Sequence, residues 1–240
     1  MRKNLLFLLI LVSAVSLQAQ RGLKMGLRFS PIFSFANITD STGASVDGNL
    51  STRPGLSYGL SVNYGFQDNV GFHTGLHIVN KGYRRTSSIK VDSAITVNDA
   101  SENVRITTVE IPLALRGRTN EVAKGIHIVG TFGATLDIST GYRNQWTEVN
   151  PATYAVNTGG NGQLNQASNY LFPVGLSFVF GAGVDWELER VGTLNLGLTY
   201  HQGLTNINTR SGGFAPQTRG ASENIKINYL AVDVSFFFGT

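Results

Sequence analysis

The sequence predicts an all-β protein: an eight-stranded antiparallel up-and-down transmembrane β-barrel, preceded by a cleaved signal peptide. Three observations support this fold class. Tracts in which apolar residues alternate with small or polar ones recur along the chain, as in strands whose two faces meet different surroundings. Short and long connections alternate between these tracts, and the strand count is even, as in outer-membrane barrels. No segment beyond the N-terminal one shows a helical apolar stripe.

The N-terminal segment has the features of a secretory signal peptide. A basic start and an apolar run from Leu5 to Val12 are followed by small and polar residues up to Ala19. The run is far shorter than the ~20 residues that a helix needs to span a bilayer. We therefore expect residues 1–19 to be removed and residues 20–240 to form the barrel domain.

Composition limits the classes of function. The 240 residues include 28 glycines and no cysteine, and 14% of them are charged. A chain without cysteine forms no disulfide, thiolate metal site or thiol nucleophile. Removal of the signal segment takes two basic residues with it and leaves 17 Lys and Arg against 15 Asp and Glu. A net charge this small gives no reason to expect nucleic acid as a partner.

The first four predicted strands lie at about 22–34, 54–66, 70–83 and 104–118. The second shows the alternation most clearly. In "GLSYGLSVNYGF" (55–66), the even positions hold Leu, Tyr, Leu, Val, Tyr and Phe, and the odd positions hold only Gly, Ser and Asn. The other three tracts show the same alternation more weakly.

The last four predicted strands lie at about 125–139, 170–188, 193–205 and 225–239. In "YLFPVGLSFVFGAGVDWEL" (170–188), every even position is apolar or aromatic, whereas Gly, Ser, Asp and Glu fill most odd positions. "LNLGLTYH" (194–201) repeats the pattern, and so does the final tract, with apolar residues at even positions from Leu230 to Phe238.

The connections are of two kinds. Short ones, "QDN" (67–69), "NEVAKG" (119–124) and "ERVG" (189–192), alternate with long ones rich in Gly, Asn, Ser and Thr. The long connections are predicted at about 35–53, 84–103, 140–169 and 206–224. Short turns at one end and long loops at the other are typical of barrels that cross an outer membrane.

The alternation fits a membrane barrel with the apolar wall outside, and also a soluble lipocalin-like barrel with that wall inside. An eight-stranded lumen is just wide enough to be filled by side chains, and inward rings such as Phe172, Phe180 and Trp186 leave little room in it. The opposite residues are too small to solubilise an outer wall. We therefore expect the apolar wall to face hydrocarbon, where barrel closure pairs every backbone polar group.

This interpretation predicts a location and a set of partners. We expect a monomer in the bacterial outer membrane, with both termini in the periplasm and the long loops outside the cell. Its expected partners are outer-membrane lipid and the barrel assembly machinery.

Charged and imidazole side chains fall on the inward face of the predicted strands. We expect them to form a polar network with a structural role, because charges in a narrow interior must satisfy one another. A plug, gate or polar path is the functional alternative. The residues are Lys24, Arg28, His73, His77, Lys81, Glu110, Arg116, Asp137, Asp185 and Glu187, joined by His127, His201 and Asp233.

The sequence predicts no catalytic, cofactor or metal site. His73 and His77 are four residues apart, which on a strand separates them by about 13 Å, too far for both to ligate one metal ion. The chain has no G-x-S-x-G nucleophile elbow and no phosphate-binding glycine loop ahead of a helix. We therefore expect no enzymatic activity and no cofactor; an outer-membrane enzyme stays as the second alternative function.

Four segments resemble the PorT-like family of outer-membrane β-barrel proteins of Bacteroidota-type envelopes. They are "GLKMGLRFSP" (22–31), "GLHIVNKGYR" (75–84), "TVEIPLALRG" (108–117) and "LTYHQGLTNI" (198–207). The resemblance covers the mature chain in order and implies an eight-stranded outer-membrane barrel. Because the founding member is linked to protein secretion through the type IX system, the resemblance also implies secretion-system components as partners.

One feature departs from the usual pattern of such barrels. Many end on an aromatic residue that the assembly machinery reads, whereas this chain ends with Phe236–Phe238 followed by Gly239 and Thr240. Either the aromatic signal is displaced by two residues, or its recognition differs in this protein. The first hypothesis for function is a structural or interaction protein of the envelope that serves secretion, and its alternative is a narrow porin-like conduit for small solutes.

Overall fold

A computed structural model describes residues 22–39, 42–45, 49–92, 95–149, 156–161, 173–207 and 224–238. The predicted signal peptide, residues 1–19, lies outside these described residues. Among them, no helix is long and apolar enough to span a membrane.

Eight antiparallel strands close into one barrel, which confirms the predicted fold class. They are β1 (Leu23–Thr39), β3 (Arg53–Gln67), β4 (Val70–Asp92), β5 (Ile95–Arg118), β6 (Ile126–Val149), β8 (Val174–Leu188), β9 (Gly192–Gly203) and β10 (Asn224–Phe238). Each strand pairs with the next barrel strand in sequence, and β10 pairs with β1 to close the ring. Two short strands are added at one end: β2 (Asn49–Ser51) pairs with β4, and β7 (Val156–Asn161) pairs with β6.

The two ends of the barrel differ. At one end, short turns at 68–69, 119–125 and 189–191 join the strands, and this short-turn end also holds the start of β1 and the end of β10. Met25 of β1 lies opposite Phe238 of β10 there. The other end, here called the long-loop end, carries the remaining connections. The Phe238 side chain is the last of β10 and lies on the outer wall, 43% exposed.

The outer wall is apolar. Large exposed side chains follow one parity along every barrel strand, and Phe132, the most exposed of them, is 63% accessible. The others include Leu27, Phe29, Leu60, Tyr64, Leu76, Leu113, Leu115, Leu176, Phe178, Phe180, Leu196, Leu198, Val232 and Val234. A continuous apolar surface of this extent is rare on water-soluble monomers. It matches the lipid-facing band of a membrane barrel, where closure leaves no unpaired strand edge.

Three of the predicted long connections, 35–53, 84–103 and 140–169, were too long. Residues 84–92 and 95–103 extend β4 and β5, so that only residues 93–94 separate the two strands. Residues 35–39, 49–51 and 140–149 are strand as well. Polar residues occupy both parities in "RRTSS" (84–88), so this part of the hairpin has no apolar alternation from which to predict a strand.

We expect a charged substitution on the outer wall to lower the stability of the barrel most near the middle of the apolar band. Phe132→Arg places a guanidinium in the middle of the outward row of β6, where lipid-facing Arg costs about 2–4 kcal/mol. Val122→Arg is the matched control, because Val122 is 55% exposed in the short β5–β6 turn. Urea unfolding in lipid vesicles should show a large loss of stability for Phe132→Arg and little change for Val122→Arg. Equal losses would contradict the assignment of the wall to hydrocarbon.

Candidate functional site in the barrel lumen

The lumen is filled by side chains from all eight barrel strands. The structure places the predicted polar residues on its inner wall, in three levels. Lys24, Arg116, Asp185 and Glu187 lie toward the short-turn end; Arg28, His73 and His77 lie at mid-height; Lys81, Glu110 and Asp137 lie nearest the long-loop end. Register brings them together: His77 is opposite Glu110, and Glu110 is opposite Asp137.

Lys81 forms the central ion pairs. Its Nζ lies 2.8 Å from Glu110 Oε1 and 2.8 Å from Asp137 Oδ2. The three side chains are at most one-tenth exposed, and Ser177 Oγ donates to Asp137 Oδ2 at 2.7 Å. One ammonium thus bridges two carboxylates across β4, β5 and β6, and ties three strands together inside the barrel.

Two aromatic groups surround this ion cluster. Tyr229 Oη donates to Glu110 Oε2 at 2.5 Å, and the Lys81 ammonium lies 5.6 Å from the centre of the Tyr229 ring. The His201 imidazole stacks on Tyr229 with ring centroids 4.1 Å apart. Both His201 nitrogens are buried without a hydrogen-bond partner among the described residues, so packing holds this ring.

A second network is centred on Arg28. Its Nη2 lies 2.5 Å from Asp233 Oδ1, and its Nε donates to Ser30 Oγ at 3.0 Å. Ser30 Oγ in turn donates to Asp233 Oδ1 at 2.7 Å, and Thr199 donates to the other carboxylate oxygen. Both carboxylate oxygens of Asp233 therefore accept hydrogen bonds from side chains of β1 and β9, the two strands that pair with β10.

His77 links the second network to β3. Its Nε2 lies 2.9 Å from Ser61 Oγ, and its Nδ1 lies 3.4 Å from the Arg28 guanidinium. A serine next to a histidine is the start of a nucleophilic dyad, but the ring must be oriented by a carboxylate to act as a base. Here the third group is a cation, and Ser61 is only 1% exposed. The arrangement suits packing and not acyl transfer.

The third network lies near the short-turn end. Arg116 Nη2 is 2.5 Å from Asp185 Oδ1, to which Asn195 Nδ2 also donates at 2.8 Å. Arg118 Nη1 is 2.7 Å from Glu187 Oε1, with Lys24 Nζ at 3.4 Å from the same oxygen. Glu187 is more open than the central acids, since 39% of its side chain is exposed.

The structure supplies no metal centre from the histidine pair. His73 and His77 bend toward each other to a ring-centroid distance of 6.3 Å, but His73 Nδ1 is bound to Asn63 and His77 to Ser61. Within the described residues, no group of three or more His, Asp or Glu side chains is arranged to hold a metal ion.

An apolar plug, which the sequence analysis missed, closes the lumen toward the long-loop end. The inner wall there is not small and polar. It contains an apolar cluster of Ala36, Ile38, Tyr83, Val104, Ile106, Tyr142, Ile225 and Ile227, all nearly or fully buried. The same strands also bury Arg85, Glu102 and Asn144. The signal for the apolar plug was present in β1, where Ile32, Phe33, Phe35, Ala36 and Ile38 put apolar residues at both parities, with Ser34 and Asn37 between them. Apolar residues at both parities indicate that neither face of the strand meets water.

Two cavities that described residues border inside the barrel are small. A cavity of about 40 Å³ lies beside Arg28 and His73 and is bordered by Gly181, Gly183 and Gly197. A second, of about 20 Å³, lies beside Lys81 and Asp137. Volumes of this size hold a few water molecules at most. A wider depression of about 540 Å³, bordered by Lys24, Arg116 and Arg118, lies at the short-turn end.

Comparison with known proteins gives one family. The family model described as "Outer membrane protein beta-barrel domain" matches residues 18–209. No curated protein sequence matches the chain.

Several solved structures are similar to this chain at low identity. Neisserial surface protein A is 12% identical with a TM-score of 0.41, and the match covers 90% of this chain and 99% of that one. OprG from Pseudomonas aeruginosa is 11% identical with a TM-score of 0.43, covering 91% and 98%. Ail from Yersinia pestis is 10% identical with a TM-score of 0.35, covering 91% and 100%. At such values no function transfers to this chain.

We expect Lys81 to be essential for stability. Lys81→Met leaves Glu110 and Asp137 buried without their cation, and removal of one partner from a buried ion pair typically costs 3–5 kcal/mol. Urea unfolding in lipid vesicles measures the loss. Lys124→Met is the matched control, because the Lys124–Glu189 pair is exposed at the short-turn end and such pairs contribute little.

The triple variant Lys81→Met, Glu110→Gln, Asp137→Asn removes all three charges and should recover much of the lost stability. If Lys81→Met alone unfolds at the wild-type urea concentration, the central ion cluster does not stabilise the barrel.

Proposed function

The chain belongs to the outer membrane protein β-barrel domain family, and from this premise we propose that it is a closed-lumen envelope protein that acts through contacts at its long-loop end. In this proposal the short-turn end and both termini lie in the periplasm, and the long-loop end lies outside the cell. The protein is not an enzyme and works as a monomer embedded in lipid.

The observation that carries the proposal is the closed lumen. The Lys81–Glu110–Asp137 cluster crosses the interior, and the apolar plug lies between this cluster and the long-loop end. Solutes cannot pass cavities of about 40 and 20 Å³. With no passage through the barrel, function must be exerted at its ends.

The long-loop end offers the more extensive structure for contacts. Beyond the pair Thr86–Ser101, β4 and β5 continue as a two-stranded arm to the pair Asp92–Ile95. At about 3.3 Å per residue this arm adds roughly 20 Å to the hairpin. β7 forms a third strand beside the corresponding extension of β6. Paired backbone of this length presents a defined surface to another protein.

We extend the proposal to protein secretion. Its support is the resemblance of four strand segments to the PorT-like family, described above from the sequence. In this role the extracellular arm, or the depression at the short-turn end, contacts secretion-system components, and the barrel holds both surfaces at fixed positions in the membrane.

A porin-like conduit is the alternative function, and conductance measurements distinguish it from a closed lumen. We expect the purified wild-type protein in planar bilayers to show no steady conductance, because the central ion cluster and the apolar plug obstruct the lumen. A large, steady conductance would overturn the closed-lumen proposal and favour passage of small solutes. An empty-detergent preparation and a refolded eight-stranded barrel with a known closed lumen are the controls.

The role of the arm is tested by shortening it. Thr86 and Ser101 lie directly opposite each other, so an Asn-Gly turn inserted between them removes residues 87–100 and preserves the register of the barrel. In a deletion strain, wild-type protein should restore the surface-protein profile and its crosslinked partners, whereas the shortened protein should fold but restore neither. Val191→Ser, in an exposed turn at the opposite end, is the control variant.

Full restoration by the shortened protein would show that the arm is not the contact surface. An unchanged surface-protein profile in the deletion strain itself would remove secretion from the proposal.

A further inference from the structure

We infer that four arginines at the long-loop end, three of them on the outer wall, form a binding site for the phosphate groups of membrane lipid. The arginine cluster consists of Arg53, Arg84, Arg105 and Arg143. This inference rests on the proposed function in one respect only: with the long-loop end outside the cell, the lipid belongs to the outer leaflet.

Strand register brings the cluster together. Arg105 of β5 is directly opposite Arg143 of β6, and it is also opposite Gly82 of β4. Arg84 is opposite Asn103, two residues from Arg105 on the same face. Directly opposite side chains on one face of a sheet lie about 5 Å apart at Cβ, and diagonal ones about 7–8 Å apart. Three guanidiniums therefore share one small area.

Arg53 completes the cluster from β3. Its Nη1 donates to Asn103 Oδ1 and to the Val104 carbonyl, both at 2.6 Å. Burial, followed by the charges of Arg105 and Arg84, lowers the pKa of the Arg53 guanidinium below its usual range. Asn103, which Arg53 contacts, lies opposite Arg84 and two residues from Arg105, so the Arg53 guanidinium reaches the same area.

The cluster lies immediately beyond the apolar band. On β5 the outward row runs from Leu115 and Leu113 through Ile111 and Val109 to Thr107 and then Arg105. Four residues separate Val109 from Arg105, about 13 Å along the strand. Because strands in such barrels tilt by 35–45°, the guanidinium lies about 10 Å above Val109, at the depth of lipid headgroups.

A band of neutral polar groups separates the apolar wall from the arginines. Thr107 Oγ1 donates to Asn80 Oδ1 at 2.9 Å, and Thr140 Oγ1 donates to the Thr107 carbonyl at 3.1 Å. The order of apolar, neutral polar and cationic side chains along β4, β5 and β6 follows the order of acyl chain, glycerol or sugar and phosphate in a lipid leaflet.

The protein does not neutralise this cluster by itself in the part that the structure describes. Arg84, Arg105 and Arg143 have no ion pair or side-chain hydrogen bond with any described residue, and the Nε of Arg143 is buried without an acceptor. Like charges directly opposite each other on a sheet are destabilising. Phosphate removes this penalty, because guanidinium groups bind its oxygens in a bidentate manner.

The position of the cluster favours lipid over a macromolecular partner. Arg84 and Arg105 are exposed on the side of the barrel and not at the end of the β4–β5 arm. A ligand there must approach within the membrane plane. An amphiphile with an acyl chain can pack on Ile78 and Leu113 of the apolar band and still present a phosphate to the arginines.

The test compares wild-type protein with Arg105→Gln, Arg143→Gln in dodecyl maltoside micelles, which contain no phosphate. Added diphosphoryl lipid A is the probe, and chemically dephosphorylated lipid A and inorganic phosphate are the comparison ligands. We expect diphosphoryl lipid A to bind the wild type and raise its Tm, and to bind the double variant at least about ten-fold more weakly, as loss of charge-assisted hydrogen bonds implies.

The sign of the stability change separates binding from a structural role. Without lipid, removal of two opposed charges should leave the Tm unchanged or raise it, and only in the presence of diphosphoryl lipid A should the wild type become the more stable protein. Lys124→Gln, Arg190→Gln, which removes two exposed charges at the short-turn end, should bind as the wild type does. Arg105→Lys, Arg143→Lys should bind with intermediate affinity, because lysine lacks the bidentate geometry.

Three results would overturn the inference. They are equal affinity of the wild type and the Gln double variant, equal affinity for dephosphorylated lipid A, and binding of inorganic phosphate as tight as that of the lipid. Failure of the proposed function would appear elsewhere, as bilayer conductance or as an unchanged surface-protein profile, and would leave these lipid affinities as they are.

Discussion

The structure depends on one constraint: in hydrocarbon, every backbone N–H and C=O must find its partner within the protein. A sheet meets it only by closing, and here β10 closes on β1 from Met25–Phe238 to Thr39–Asn224. Closure with eight strands fixes a narrow interior, whose diameter suits side chains and little else. The outward side chains are then free to be uniformly apolar, whereas the inward ones must pack and satisfy each other in limited space.

The interior meets this second demand in two ways. Around Lys81 and Arg28, charges from β1, β4, β5, β6 and β10 pair at 2.5–2.8 Å, with serine and threonine hydroxyls completing the carboxylates. Toward the long-loop end, isoleucines, valines and the rings of Tyr83 and Tyr142 fill the lumen by apolar packing. The charged level ties distant strands together, and the apolar level excludes water. Both make the barrel a rigid support for what lies at its ends.

Beyond the apolar band, the outward side chains of the strands change in character. β4, β5 and β6 continue past the apolar band, and their outward residues pass from apolar to neutral polar to arginine. The same pairing that closes the barrel also forms the β4–β5 arm and brings the arginines together. The lipid site and the contact surface that we propose are therefore built on the same three strands.

Local pattern determined the fold class of this protein. Period-2 alternation identified eight strands, because the parity of a residue is a property of the chain itself. The volume of the aromatic side chains, compared with the width of an eight-stranded lumen, assigned the apolar wall to the outside. Parity also placed Lys81, Glu110 and Asp137 on one wall, but it gave no partners. Lys81 meets Asp137, 56 residues away in sequence, and Arg105 faces Arg143. Both contacts depend on the register in which the strands pair, and alternation with the same period in every strand does not determine that register. The extensions of β4 and β5 and the apolar plug were likewise decided by tertiary structure. "RRTSS" (84–88) is polar at both parities, and in β5 the plug residues Val104 and Ile106 alternate with outward Arg105 and Thr107, so alternation alone does not tell which face lies inside.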